Sequence, residues 1–200
     1  MSSDQSSEFN LVISGVGGQG AILASDIIGK AAVSAGLSVR AAETHGMAQR
    51  GGSVINHIRL GYDLGSMITV KGADLLMALE PAEALRYVDF LSEDGVVVVN
   101  TAPVCPVTVM AGLCSYPDIS EIIETLEESH DVKAFNAFEL AIEAGHPQAM
   151  NVVMVGAISK YLPISDDQLL EAIRELVPPK TIDINVKAFE LGKKAISEQA

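Results

Sequence analysis

An apolar run, Phe9-Asn10-Leu11-Val12-Ile13, leads into Gly15-Val16-Gly17-Gly18-Gln19-Gly20, and an amphipathic stretch follows at once. Few arrangements satisfy that order. A short apolar run ended by glycine reads as a buried strand over 9–14. Residues 21–35 read as a helix, with Leu23, Ile27 and Ala31 on one face and Asp26, Lys30 and Ser34 on another. Gly36 closes that helix, as glycine after a last turn often does, and 37–42 forms the next strand. The product is a βαβ unit, which commits this end of the chain to an α/β fold with a glycine-rich turn at the carboxyl end of its first strand. Such folds hold ligands and phosphates there. A second glycine-bearing segment, Glu43-Thr44-His45-Gly46-Met47-Ala48-Gln49-Arg50-Gly51-Gly52, follows the second strand and adds backbone amides to the same edge.

The rest of the chain continues the α/β pattern. Residues 53–60 alternate in part and suit a strand, with Gly61-Tyr62-Asp63 as a turn; 74–79 reads as a buried strand. Pro81 opens a helix carried by Ala84, Leu85, Val88 and Leu91, and Gly95 breaks it before the central strand Val96-Val97-Val98-Val99. Asp118 with Glu121 resembles a capping box ahead of the stripe Ile119, Ile122, Ile123 and Leu126. Residues 132–136 form a last strand. Residues 151–162 are apolar nearly all round, as in a buried or interface helix. Ser165 and Gln168 cap a helix that Pro178-Pro179 ends, and 185–197 is the terminal helix. With no linker or repeat, the reading is one α/β domain over 9–197: a Rossmann-like three-layer fold, a mostly parallel sheet with helices on both faces. Residues 1–8 form a polar, disordered tail.

Composition removes several function classes. Two hundred residues suffice for one substantial core, and 48% apolar residues without tryptophan imply a core of aliphatic side chains. A formal charge of -13 repels phosphate backbones, so nucleic acid is not expected as a partner. The apolar runs are too short to cross a bilayer, and the first residues lack the basic and apolar regions of a secretory signal, so a cytoplasmic protein is expected. Cys105 and Cys114 are the only cysteines, read as reduced thiols, with a disulfide between them open on spacing alone. Two thiols cannot hold a four-cysteine iron–sulfur cluster, and the four scattered histidines show no zinc spacing.

The glycine segments therefore carry the chemistry. Gly15, Gly17 and Gly20 have the spacing of a dinucleotide-binding turn, with Gly18 and Gln19 between them. Glu43 lies twenty-three residues after Gly20, where a ribose-binding carboxylate would sit. On that pattern alone an independent nicotinamide- or flavin-binding enzyme is one reading; tight turning that lets the first helix pack on the sheet is another. In the second segment, Gly46, Gly51 and Gly52 permit positive φ and expose amides, and Gln49 and Arg50 stand among them. The Arg50 guanidinium suits a phosphate or carboxylate, or an ion pair with Glu43. No nucleophile elbow and no P-loop occur, and the acidic runs read as solvated helix faces. The chain offers a binding surface without a nucleophile and base pair, so no catalytic residue is assigned.

Gly15 to Gly20, then Glu43 and the string Gly-Met-Ala-Gln-Arg-Gly-Gly-Ser at 46–53, resemble the gamma-type subunit of 2-oxoacid:ferredoxin oxidoreductases. Ala73-Asp74-Leu75-Leu76, Leu79-Glu80-Pro81, Asn100-Thr101, Asn151, Gly156-Ala157 and Ala188-Phe189 extend the likeness over about 9–195. The Gly-Met-Ala-Gln-Arg-Gly-Gly string is most similar to indolepyruvate-type members. The resemblance implies an accessory subunit of an enzyme that oxidatively decarboxylates a 2-oxoacid, such as an aryl pyruvate, to its acyl-CoA and passes the electrons to ferredoxin. Thiamine diphosphate, magnesium and 4Fe–4S clusters are then expected on a partner catalytic subunit, with none bound by this chain alone. The same likeness implies a part in the coenzyme A site for Gly17, Gly18, Gln19, Gly20, Arg50, Gly51 and Gly52. Purely structural packing by both loops is the alternative.

Overall fold

Strand β1 (Phe9–Val16) lies inside a six-stranded sheet of order β2-β3-β1-β4-β5-β6. The computed structural model describes residues 8–45, 52–62 and 65–198. Residues 1–7 of the expected tail, most of the second glycine segment (Gly46, Gln49, Arg50 and Gly51) and Asp63 lie outside the described residues; Glu8 is exposed. The strands are β1, β2 (Val39–His45), β3 (Ser53–Leu60), β4 (Ala73–Ala78), β5 (Leu91–Asn100) and β6 (Asp131–Phe135). The helices are α1 (Ala21–Ser34), α2 (Pro81–Tyr87), the single turn α3 (Val107–Met110), α4 (Ile119–Glu127), α5 (Ala137–Ala144), α6 (Met150–Ile158), α7 (Asp166–Leu176) and α8 (Ile182–Ser197).

The βαβ unit forms, but it is opened by one strand. β1 and β2 run the same way, yet β3 lies between them and is antiparallel to both. Chain length explains this. Seven residues link β2 to β3, enough for a hairpin and too few for the crossover that a parallel neighbour requires. Elsewhere β1, β4, β5 and β6 are mutually parallel, so the sheet is mixed with a parallel majority. β3 alternates less than its sequence suggests: Val54 to Ile58 are all buried, because helices or loops cover both faces of an interior strand.

Side chains divide between the two faces with the period of two that a strand imposes. Leu11, Ile13, Leu75, Met77 and Val98 point into one core with α1, α5, α6, α7 and α8. Val12, Leu76, Ala78, Val97 and Val99 point into a second core closed by Ala84 of α2 and by Ile122 and Leu126 of α4. The three-layer arrangement follows from these two cores.

Of the 151–162 stretch, expected as a buried or interface helix, the part up to Ile158 is a buried helix; a 3-10 turn follows at Ser159–Tyr161, where Lys160 is exposed. Every residue of α6 is buried, and α8 crosses it at backbone contact. A Cβ on Gly156 would stand 2.0 Å from the Phe189 carbonyl oxygen, and one on Gly192 would stand 1.9 Å from that of Val153. The expected cap of α7 is present: the Gln168 N–H donates to Ser165 Oγ at 3.3 Å, and Gln168 Oε1 accepts the Ser165 N–H at 3.0 Å. Asp118 caps α4 on the Ser120 N–H at 2.8 Å.

Two expectations are corrected. Leu91 does not extend the helix that begins at Pro81, and Gly95 does not end one. α2 finishes at Tyr87, a 3-10 turn follows, and Leu91 opens β5 with Gly95 inside it. The pairing shifts there, from Ala73 opposite Leu91 to Leu75 opposite Val96. Gly95 sits in that irregularity, where a Cβ would come within 2.5 Å of Leu91 Cγ. Helix α5 is missing from the sequence reading, although Asn136 and Glu139 carry its start signal; Asn136 Oδ1 accepts the Glu139 N–H at 3.1 Å.

Candidate functional site at the carboxyl edge of the sheet

The two glycine segments meet. Val16 at the end of β1 stands opposite Ser53 at the start of β3, and the Gly17 N–H donates to the Gly52 carbonyl at 2.8 Å. Because β3 returns antiparallel from β2, Gly52 just before β3 comes to lie beside the β1–α1 turn. The sequence brings these segments to one edge, and the hairpin brings them into contact.

Much of the first turn serves its own structure. Gln19 Oε1 accepts the Val16 N–H at 2.8 Å and Gln19 Nε2 donates to the Leu79 carbonyl at 2.9 Å, so this side chain staples the turn to the end of β4. A Cβ on Gly15 would press to 2.8 Å from Gln19 Oε1. Gly18 and Gly20 adopt φ of 101° and 80°, the left-handed region that glycine occupies without a Cβ clash. A Cβ on Gly20 would also lie 2.6 Å from Asn151 Nδ2, which donates to the Gly20 carbonyl at 3.0 Å. Asn151 thus joins the start of α6 to the start of α1, while its Oδ1 is buried with no hydrogen-bond partner.

Glu43 is exposed near the end of β2. It pairs across β3 with Asn56, which in turn faces Ile13 of β1. Two strand spacings, about 10 Å, therefore separate it from β1, where a dinucleotide fold places its acidic residue on the adjacent strand.

A groove of ≈ 460 Å³ opens beside the turn. Gly18, Gln19 and Gly20 form one side, with the first amides of α1 directed outward as at any helix start. Leu23, Val104, Phe138 and Met150 supply apolar walls. Asn151 and Gln148 add polar groups. Such a cleft suits a ligand with an anionic or polar end at the helix terminus and an apolar arm along the wall. Sequence reasoning missed Phe138, Val104 and Gln148, which belong to α5 and two connections; only the α5 start signal pointed that way.

A buried acidic residue supports the far rim. Glu80 precedes α2, and its Oε2 accepts the Glu83 N–H at 3.0 Å. Its Oε1 accepts the Tyr116 hydroxyl and the Val104 N–H, the latter at 3.3 Å. Burial, and then the hydrogen bond to Glu80, push the Tyr116 pKa up well above the ordinary tyrosine value. Next to it, Glu83 accepts from the Ser53 hydroxyl and from Arg86 Nε, fixing the first residue of β3. Asn100 completes the edge: its Nδ2 donates to the Leu79 carbonyl at 2.9 Å and its Oδ1 accepts the Ala137 N–H at 3.0 Å. Among the described residues no three His, Cys, Asp or Glu side chains gather as a metal site requires. No helix among them is long and apolar enough to cross a membrane.

A mixed α/β sheet with a glycine-built carboxyl edge defines the class, and comparison with known proteins defines the family. The chain belongs to the pyruvate ferredoxin/flavodoxin oxidoreductase family, whose model matches residues 10–195. It is 48% identical over 196 residues to the indolepyruvate oxidoreductase subunit IorB of Thermococcus kodakarensis, covering 96% of this chain and 97% of that one. It is also 48% identical over 192 residues to the corresponding subunit of Archaeoglobus fulgidus, covering 94% and 96%. Among solved structures, the gamma subunit of a keto/oxoacid ferredoxin oxidoreductase from Geobacter sulfurreducens shares the fold at a TM-score of 0.71 and 24% identity, over 95% of this chain and 99% of that one. A 2-oxoglutarate:ferredoxin oxidoreductase from Magnetococcus marinus, solved with 2-oxoglutarate, coenzyme A and succinyl-CoA bound, shares it at 0.75 and 21% identity. That match covers 96% of this chain and 31% of the other. The chain is thus a subunit of a 2-oxoacid:ferredoxin oxidoreductase.

Proposed function

We propose that this chain is the cytoplasmic accessory subunit of an indolepyruvate-type 2-oxoacid:ferredoxin oxidoreductase and lends its carboxyl edge to the coenzyme A site of the assembled enzyme. The contact between Gly17 and Gly52 carries this reading, because it joins the second glycine segment to the turn whose Gly18, Gln19 and Gly20 line one apolar-walled groove. Two kinds of likeness support it: near-complete alignment with indolepyruvate oxidoreductase subunits at 48% identity, and a shared fold with an oxidoreductase solved with coenzyme A. The residues present fit that ligand. Backbone amides of the Gly18–Gly20 turn and of the start of α1 suit phosphate oxygens, and the Arg50 guanidinium is proposed to join them from the second glycine segment. Leu23, Phe138 and Met150 suit an uncharged arm, and the unpartnered Asn151 Oδ1 offers an acceptor to an amide N–H. Gln49 and Gly46 belong to the same segment, and Glu43 stands at its base. Coenzyme A supplies the thiol that accepts the acyl group. This chain's residues bind and orient it without moving a proton or an electron.

Thiamine diphosphate, magnesium and 4Fe–4S clusters are assigned to the catalytic partner, which passes electrons to ferredoxin. Two cysteines cannot ligate such a cluster here. The isolated chain accordingly turns nothing over. In the assembled enzyme, Arg50→Ala weakens coenzyme A binding by about 2 kcal/mol or more, as expected for removing one partner of a desolvated charge pair; this raises the KM for coenzyme A and leaves the KM for the 2-oxoacid in place. Steady-state kinetics with each substrate varied in turn decide the matter; an unchanged coenzyme A KM and turnover would remove Arg50 from the site.

A further inference from the structure

Residues 101–117 contain no charged side chain, in a chain that is 20% charged. The segment leaves the edge after β5, makes the single turn α3 and returns to α4. It is not buried: Met110 is 70% exposed, Leu113 79% and Val104 40%, and both cysteines, Cys105 and Cys114, are exposed. Nor is it loose. Val104 at one foot and Tyr116 at the other both donate to Oε1 of the buried Glu80. Inside the excursion, the Gly112 N–H donates to the Val109 carbonyl and the Leu113 N–H to that of Thr108, both at 2.9 Å. An uncharged, apolar tip held in one shape is a preorganised contact surface, and monomers seldom leave such a surface to water.

Charge selects the occupant. Directly after the tip come Asp118 and Glu121, both exposed, and neither is in an ion pair among the described residues. A second copy would set the same carboxylates against each other, in a chain of net charge -13. An anionic lipid surface would be repelled for the same reason. A protein face with an apolar centre and flanking Lys or Arg side chains is complementary. We infer that the 104–116 excursion is the docking element for the cofactor-bearing catalytic subunit of the same oxidoreductase, received by an apolar patch with a basic margin. This rests on the subunit assignment made above.

The chain's only two thiols are built-in reporters of that face. The experiment compares N-ethylmaleimide labelling of Cys105 and Cys114 in the isolated chain with labelling in the complex purified after co-expression with the catalytic subunit. Peptide mass spectrometry reads both sites over time. Alongside, Met110→Asp/Leu113→Asp and Asp118→Lys/Glu121→Lys are tested for co-purification, with Val33→Asp on an exposed position of α1 as the control. The expected result is at least a tenfold slowing of labelling at both thiols in the complex. Both paired variants, folded by circular dichroism, lose the partner, whereas Val33→Asp retains it. Equal labelling in the free and assembled chains, or retention of the partner by Met110→Asp/Leu113→Asp, overturns the docking role and leaves the subunit assignment standing. Concentration-dependent self-association that protects the thiols without a partner makes the occupant a second copy and also overturns it. Failure of the wild-type chain to assemble with the catalytic subunit would sink the subunit assignment itself.

Discussion

The hydroxyl of Tyr116 donates to Oε1 of Glu80 across thirty-six positions of sequence. Tyr116 also accepts the Ala82 N–H at 3.2 Å, so one phenol links the start of α2 to the far foot of an excursion whose near foot rests on the same carboxylate. The edge of the sheet is organised by this pair, a buried carboxylate and a partly buried phenol, as much as by its glycines.

The pair makes stability fall in alkali. The Tyr116 pKa is raised by burial and by the Glu80 hydrogen bond. Below the ordinary tyrosine pKa of about 10, folded and unfolded chains both keep the proton and the stabilisation is complete. Above it, the unfolded chain ionises first, so stability drops as pH climbs toward the folded value. Urea unfolding at stepped pH from 8 upward should show this loss in the wild type and a flatter profile in Tyr116→Phe. At pH 8 that variant should be weaker by about 1–2 kcal/mol, because the Ala82 N–H loses its acceptor. With no tryptophan in the chain, absorbance titration of the tyrosines offers a direct check.

The contact between α6 and α8 reverses an ordinary rule. Glycine to alanine inside a helix normally gains about 1 kcal/mol. At Gly156 the new methyl would meet the Phe189 carbonyl at 2.0 Å, so Gly156→Ala should instead destabilise by about 3 kcal/mol as the two helices are forced apart. Denaturant midpoints of Gly156→Ala and Gly192→Ala test this, with Gly29→Ala as a reference whose Cβ meets only Val39 at 3.8 Å.

Gln19 should prove structural in its side chain. Gln19→Ala strands the Val16 N–H and removes a donor from the Leu79 carbonyl, at a cost of about 1–3 kcal/mol. Gln19→Glu keeps the acceptor for Val16 but turns an anionic oxygen toward the Leu79 carbonyl, so it should melt below the wild type as well. A Gln19→Glu chain with wild-type stability would mean that the turn does not depend on this staple.

The α7 cap offers a smaller test. Ser165→Ala breaks the reciprocal bonds with Gln168 and should cost about 1 kcal/mol. Thermal melts read it, and no change in coenzyme A kinetics should accompany the loss.

Local chemistry made much of this protein legible in its residues. Phe9 to Ile13 followed by glycines could only be a strand entering a turn, and Ser165 with Gln168 could only cap a helix. The nearly all-round apolar character of 151–162 pointed to a buried or interface helix. These are short-range consequences of steric restriction, hydrogen-bond capping and hydrophobic periodicity. Tertiary structure decided what depends on distant groups. The seven-residue link put β3 between β1 and β2, which joined Gly17 to Gly52 and moved Glu43 two strands from the glycine turn. The close crossing of α6 and α8 gave Gly156 and Gly192 their purpose. Glu80, Val104 and Tyr116 became one unit only when the chain folded back on itself. No local pattern encodes such meetings, because each depends on which remote backbone comes to lie beside it.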